Sequence, residues 1–145
     1  GWKEEIVSVD PLIVVLHGFA TPSECRRVEE IIGQCHDRPA GMCRKQHIAP
    51  HDDALTNGPS RNSTAFVLEH RGEMEPVVDE LLRRVHLAAR QPITFGEAVQ
   101  VAEYGPGGFH QFHHDDLRRR ATFLLYLRDV EEGDGGETIF PLVRR

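Results

Sequence analysis

Tyr104-Gly105-Pro106-Gly107-Gly108-Phe109-His110-Gln111-Phe112-His113-His114-Asp115-Asp116 decides how this chain is read, because three histidines and two carboxylates fall within its last seven residues. Gly-Pro-Gly-Gly is a turn signal. Ahead of it Val99, Val101 and Glu103 alternate with Ala98, Gln100 and Ala102, and after it comes Thr122-Phe123-Leu124-Leu125-Tyr126-Leu127. Antiparallel strands broken by a glycine turn are predicted. Along a strand, side chains at i and i+2 share a face, so His113 and Asp115 can converge on one cation, as can His114 and Asp116 on the other face. An imidazole and a carboxylate, joined by one more histidine from a distant strand, make up the facial triad that leaves positions open on Fe(II). A lone His-x-Asp arises often by chance, so the weight comes from the turn and strands around it.

Outward from this stretch, two helices are predicted. Thr21-Pro22-Ser23-Glu24 supplies a cap hydroxyl, a proline suited to the first turn and a glutamate that can bond back to the cap. Cys25, Val28, Ile31, Ile32 and Cys35 then recur at helical spacing, which reads the two cysteines as packing and leaves a Cys35–Cys43 bridge open. The second helix runs from about Glu73 to Ala89 with Met74, Val77, Val78, Leu81, Leu82, Val85 and Ala88 as one stripe, and Gln91-Pro92 stops it. The run from Ile6 to Phe19, with Ile13-Val14-Val15-Leu16 at its centre, predicts a buried strand. Between Gly33 and Ser60 no period persists, and a long flexible loop on the substrate side is expected, its His47, His51, Asp52 and Asp53 solvated.

Composition bounds the function. The 145 residues fit one domain with a real core, and no apolar run approaches the ~20 residues a bilayer span needs. A formal charge of −6 argues against nucleic acid as a main partner, since phosphate binding needs a basic face. Three cysteines without a C-x-x-C spacing indicate neither a disulfide framework nor a zinc knuckle. Asn62-Ser63-Thr64 is a glycosylation sequon that matters only in a secreted chain. Gly1-Trp2-Lys3-Glu4 is not a charged and apolar leader, and the compartment stays open.

Together with Gly135-Gly136-Glu137-Thr138-Ile139-Phe140-Pro141, these pieces resemble the catalytic domain of prolyl 4-hydroxylases, members of the Fe(II)- and 2-oxoglutarate-dependent dioxygenases. The resemblance covers most of the chain. It takes in the Thr21-Pro22-Ser23-Glu24-Cys25 helix start, Ser60-Arg61-Asn62-Ser63, the Met74 to Ala89 helix, Gly96-Glu97, Tyr104 to Asp115, and Arg120 through Tyr126-Leu127 to Thr138 and Phe140-Pro141. Tyr104 stands nine residues before the metal histidine in that pattern, which selects His113 and Asp115 as ligands over His114 and Asp116.

The resemblance implies an α+β fold for a single domain over residues 1–145. Its core would be a double-stranded β-helix, or jelly-roll, of antiparallel strands with N-terminal supporting helices, incomplete at the C-terminus. It implies Fe(II), 2-oxoglutarate, O2 and ascorbate as reductant, and a proline-containing peptide or protein as substrate. Tyr104 and Thr138 are expected to hydrogen-bond 2-oxoglutarate, with Tyr126 reaching its distal carboxylate. Arg61, Ser63, Glu97 and His110 are expected along the peptide groove, and Arg120 with Tyr104 near the chemistry. His110 stands where tyrosine is usual in the family. The distal iron histidine and a basic residue for the co-substrate are expected beyond Pro141, supplied by a further segment or chain, and the Asp115–Arg120 link is short for the family. The endoplasmic reticulum or secretory pathway is the compartment the resemblance favours. A non-catalytic peptide-binding or scaffold domain on the same fold is the alternative.

Overall fold

A computed structural model describes residues 1–37, 43–48, 52–53, 58–68, 75–92, 97–115 and 118–143. In chain order the elements are β1 (Lys3–Val9), β2 (Leu12–His17), α1 (Pro22–Asp37), β3 (Cys43–Ile48), β4 (Asp52–Asp53), β5 (Gly58–Pro59), β6 (Arg61–Leu68), α2 (Pro76–Ala89), β7 (Val99–Glu103) and β8 (Phe109–His110). Among the described residues every strand pair is antiparallel. The architecture is α+β, as expected.

The α1 cap forms as its sequence dictates. The Thr21 amide donates to Glu24 Oε2 at 2.8 Å, and the Glu24 amide donates back to Thr21 Oγ1 at 3.3 Å, which satisfies two donors that the first turn would otherwise leave orphaned. Pro76 opens α2, and Arg90, in the left-handed conformation at φ 52°, closes it with its amide turned back to Leu87 O. Glu73 and Met74, placed at the start of this helix from sequence, lie outside the described residues, as does Gly96. Arg84 of α2 donates to the Phe19 carbonyl at 2.6 Å and pairs with Glu24, tying the second helix to the cap of the first. Among the described residues, no helix is long and apolar enough to cross a membrane.

The central sheet has the order β3-β6-β7, with β8 also on β6. Phe66 and Leu68 of β6 are buried with Ile31, Ile32 and Cys35 of α1 and Val78 of α2. Strand alternation turns Arg61 and Ser63 to the face away from the helices. A second core joins Phe19, Val28 and Leu81, with the Trp2 and Phe123 rings tilted against Phe19 at centroid distances of 5.2 and 4.8 Å.

Three expectations are corrected. The Ile6 to Phe19 run is not one buried strand but the β1–β2 hairpin followed by a turn, with Val9 and Leu12 81% and 68% exposed beside the hairpin's turn and with Leu16 and Phe19 reaching the core. Within Gly33–Ser60, α1 continues to Asp37 and β3 pairs with β6 from Cys43↔Leu68 to Ile48↔Ser63. Cys-Arg-Lys-Gln-His-Ile has no apolar alternation, so a strand held by its backbone ladder on a strongly apolar neighbour leaves no periodic signal. His51 lies outside the described residues. Residues 122–127 form no strand ladder. Phe123, Leu125 and Leu127 still turn to the core while Thr122, Leu124 and Tyr126 turn outward, the alternation of a strand without its ladder. Of the cysteines, Cys25 is free and Cys35 is disulfide-bonded as well as buried.

Candidate metal and co-substrate site

The site is built from the β6–β8 edge. Thr64 pairs with Glu103 of β7 and Asn62 with Phe109 of β8, so Ser63 alone faces the five residues Tyr104–Gly108. The glycines take up this excess. Gly107 sits at φ +73°, and a Cβ on Gly108 would lie 2.8 Å from Gly105 O, closer than real Cβ atoms approach, and a tight 3.1 Å from Asn62 O. After the turn Arg61 pairs with His110, and the Gln111 amide donates to Ser60 O at 2.8 Å. His110 is thereby carried to the same face as Arg61 and Ser63.

His113 and Asp115 come together, although residues 113–115 do not form the strand on which that expectation rests. His113 Nδ1 is bonded to the Gln111 carbonyl at 2.8 Å, and its Nε2 stands 3.3 Å from Asp115 Oδ1. Donating Nδ1–H to that carbonyl leaves the Nε2 lone pair aimed at a carboxylate oxygen. Two acceptors at that distance repel each other unless a proton or a cation lies between them, and a fixed Nδ1–H partner is the usual companion of a metal-ligating imidazole. Donors about 2.1 Å from one divalent ion and at right angles to each other stand about 3 Å apart. The pair therefore fits two adjacent positions on one ion. Among the described residues there is no group of three or more His, Cys, Asp or Glu side chains arranged to hold a metal.

Asp115 is constrained from three sides. Thr122 Oγ1 donates to its Oδ2, His113 faces its Oδ1, and Arg119 Nη1 stands 3.5 Å from Oδ1. The Thr122 bond, helped by Arg119 and His113 against the cost of burial, holds the carboxyl below its ordinary value. Arg119 in turn donates through Nε and Nη2 to the two Glu97 oxygens at 2.7 and 2.9 Å, a bidentate fork. His110 stacks on His113 with centroids 3.9 Å apart and planes 23° from parallel. Its imidazole titrates below the ordinary value, because burial, His113 and Arg61 all disfavour the charged form.

The other expected groups fall into two sets. Arg61 donates from Nε to buried Ser63 Oγ at 2.5 Å and lies 5.8 Å from the Tyr104 ring centroid, which gathers three of the expected residues beside His110. The Tyr126 hydroxyl and Thr138 Oγ1 are hydrogen-bonded to each other. Thr122 and Tyr126 share the outward face of one run, so at about 3.3 Å per residue the Asp115 end and the Thr138 end are about 13 Å apart. Arg120 is exposed, and the guanidinium that reaches Asp115 belongs to its neighbour Arg119. His114 is exposed, and Asp116 lies outside the described residues.

Sequence reasoning missed Gln111, Arg119 and Thr122. The i+4 step from Asp115 to Arg119 suits an ion pair across a turn, and Thr122 begins the outward face that also carries Tyr126. Those were the only signals available for them.

Comparison with known proteins gives a consistent picture. The chain is 33% identical over 156 aligned residues to prolyl 4-hydroxylase 1 of Arabidopsis thaliana, covering 97% of this chain and 50% of that protein. It is 31% identical to prolyl 4-hydroxylase 5 of the same plant, covering 97% of this chain and 48% of that protein. Against prolyl 4-hydroxylase subunit alpha-2 of Gallus gallus it is 30% identical over 97% of its own length and 27% of the relative's. No family model matches the chain, and no solved structure does. The chain spans about half the length of the plant relatives it matches. Over nearly its whole length, then, the chain is similar to prolyl 4-hydroxylases at 30–33% identity, which supports a prolyl 4-hydroxylase domain.

Proposed function

We propose that this chain carries part of the active site of a hydroxylase acting on prolyl residues of a peptide or protein, dependent on Fe(II) and 2-oxoglutarate. The observation that carries this reading is the facing pair His113 Nε2 and Asp115 Oδ1 at 3.3 Å, with the imidazole anchored through Nδ1. The relatives' names give the substrate class. His113 and Asp115 would hold the iron with a third donor from outside the described residues. Iron with 2-oxoglutarate and O2 would supply the oxidising power, one oxygen atom going to the prolyl carbon and the other to succinate as carbon dioxide is lost, and ascorbate would serve as the reductant that returns iron to Fe(II) outside that balance.

The residues of the chain do the positioning. The Tyr126–Thr138 pair offers hydroxyls for a co-substrate carboxylate, with Tyr104 on the Arg61 side as a further donor. Arg61, Ser63 and His110 share one face beside the metal pair, where a peptide laid across them would bring a proline to the iron. Glu97 supports Asp115 through Arg119, and Arg120 stands at the rim. The antiparallel sheet and the alternating run at 122–127 fit one wall of a jelly-roll, within a single domain over residues 1–145.

The test is turnover by the intact protein with Fe(II), 2-oxoglutarate, ascorbate and a proline-rich peptide. A hydroxylase releases succinate in step with a 16 Da mass gain on proline, about the mass of one oxygen atom. A peptide that binds with no succinate release would favour the non-catalytic peptide-binding or scaffold reading instead.

A further inference from the structure

We infer that Thr122 is a positioning residue that makes Asp115 a one-oxygen ligand; the inference rests on the metal reading above. The Thr122 hydroxyl has one proton and gives it to Asp115 Oδ2, while Oδ1 is the oxygen that faces His113 Nε2 at 3.3 Å. The two oxygens of one carboxylate therefore have separate tasks. A carboxylate free to rotate can chelate a cation through both oxygens and so fill two positions. Occupying Oδ2 leaves a single donor and one more open position on the ion, and open positions are what the facial triad offers to co-substrate and oxygen.

The backbone explains why Thr122 can do this. Phe123, Leu125 and Leu127 pack on the core that contains Phe19 and Leu81, and that fixes the run and turns Thr122 outward. A β-branched side chain is stiff at χ1, so the hydroxyl is held where the carboxylate needs it. Arg119 does not replace it, because two of its donors are spent on Glu97 and its contact with Asp115 is to Oδ1 at 3.5 Å. The bond to Oδ2 comes from Thr122.

The test titrates Co(II) alone into the intact, metal-free wild type and into Thr122→Val, Thr122→Ser and Asp115→Ala, following affinity and the d–d absorption band. Thr122→Val keeps the shape and removes the donor, and is expected to weaken Co(II) binding by about 10- to 100-fold, the loss typical of removing an outer partner of a metal ligand, and to shift the band. Thr122→Ser keeps the donor and should stay within about threefold of wild type with the wild-type band. The inference is overturned if Thr122→Val binds and absorbs like wild type, or if Thr122→Ser falls as far as Thr122→Val. Melting curves of the metal-free proteins check folding, and if Thr122→Val does not fold, Thr122→Ala is judged by the same numbers. A wild type that takes up no Co(II), or one unaffected by Asp115→Ala, sinks the metal reading itself rather than the role of Thr122.

Discussion

Replacing glycines one at a time in the Gly105–Gly108 turn should give a graded series, because the three positions differ in what a methyl group would meet. At Gly108 a Cβ would stand 2.8 Å from Gly105 O, 3.1 Å from Asn62 O and 3.2 Å from Gly105 N, all backbone atoms that cannot swing away. Relieving that overlap costs about 1–3 kcal/mol by the record of overpacked sites. It also pulls apart the Gly108 N–H bond to Gly105 O, now 2.8 Å, worth about 1 kcal/mol. Gly108→Ala should therefore lose about 2–4 kcal/mol, a midpoint shift of about 1–2 M urea at a slope near 2 kcal/mol/M. Gly107→Ala meets no neighbour but must adopt φ +73°, which costs about 1 kcal/mol. Gly105→Ala meets nothing within 4 Å and needs no positive φ, so it should stay within about 0.5 kcal/mol of wild type. The site should register the same order, because Gly108 sets the register that pairs His110 with Arg61, so Co(II) affinity falls most in Gly108→Ala. Equal effects at Gly105 and Gly108, or a silent Gly108→Ala, would refute the reasoning that close backbone approach fixes this turn.

Other substitutions separate the site from the scaffold. His113→Ala and Asp115→Ala should each weaken Co(II) binding by more than the ~10- to 100-fold expected for an outer partner and stop succinate release, while the metal-free protein melts near the wild-type temperature. Phe66→Ala should cost about 3–5 kcal/mol in urea denaturation, since that ring is fully buried between the sheet and α1 with the His36 ring 4.5 Å away at its edge. Glu24 is held below its ordinary value chiefly by the Thr21 amide, so its charge stabilises the fold above the unfolded value of about 4.3 and loses that effect as pH falls through the lower folded value. Glu24→Gln should accordingly be less stable than wild type at pH 7, by about 1 kcal/mol, and the two curves should converge as pH falls through the lowered folded value of Glu24.

Much of this was legible in the sequence because it rests on local rules. The α1 cap follows from Thr21 and Glu24 three residues apart, α2 from one apolar stripe, and β7 from strict alternation at Val99–Glu103. That His113 and Asp115 face each other was legible from their i, i+2 spacing. What escaped depends on partners far along the sequence. β3 is a strand because β6 lies beside it, and the hairpin at Lys3–His17 turns at Asp10-Pro11 inside what looks like one apolar run. Arg119, whose guanidinium stands near Asp115, escaped for a similar reason. Three consecutive arginines are indistinguishable by composition, and only the folded path past Glu97 selects one of them. Thr122 could be read only as the start of the face that also carries Tyr126, and its bond to Asp115 depends on the folded path between them.

The most direct test is anomalous diffraction at the iron edge from crystals of the intact protein loaded anaerobically with Fe(II). Coordination by the facing pair predicts one strong peak about 2.1 Å from both His113 Nε2 and Asp115 Oδ1, with a third protein donor on the same ion. A peak bound elsewhere, or these two side chains holding only a proton between them while iron is present in excess, would contradict it.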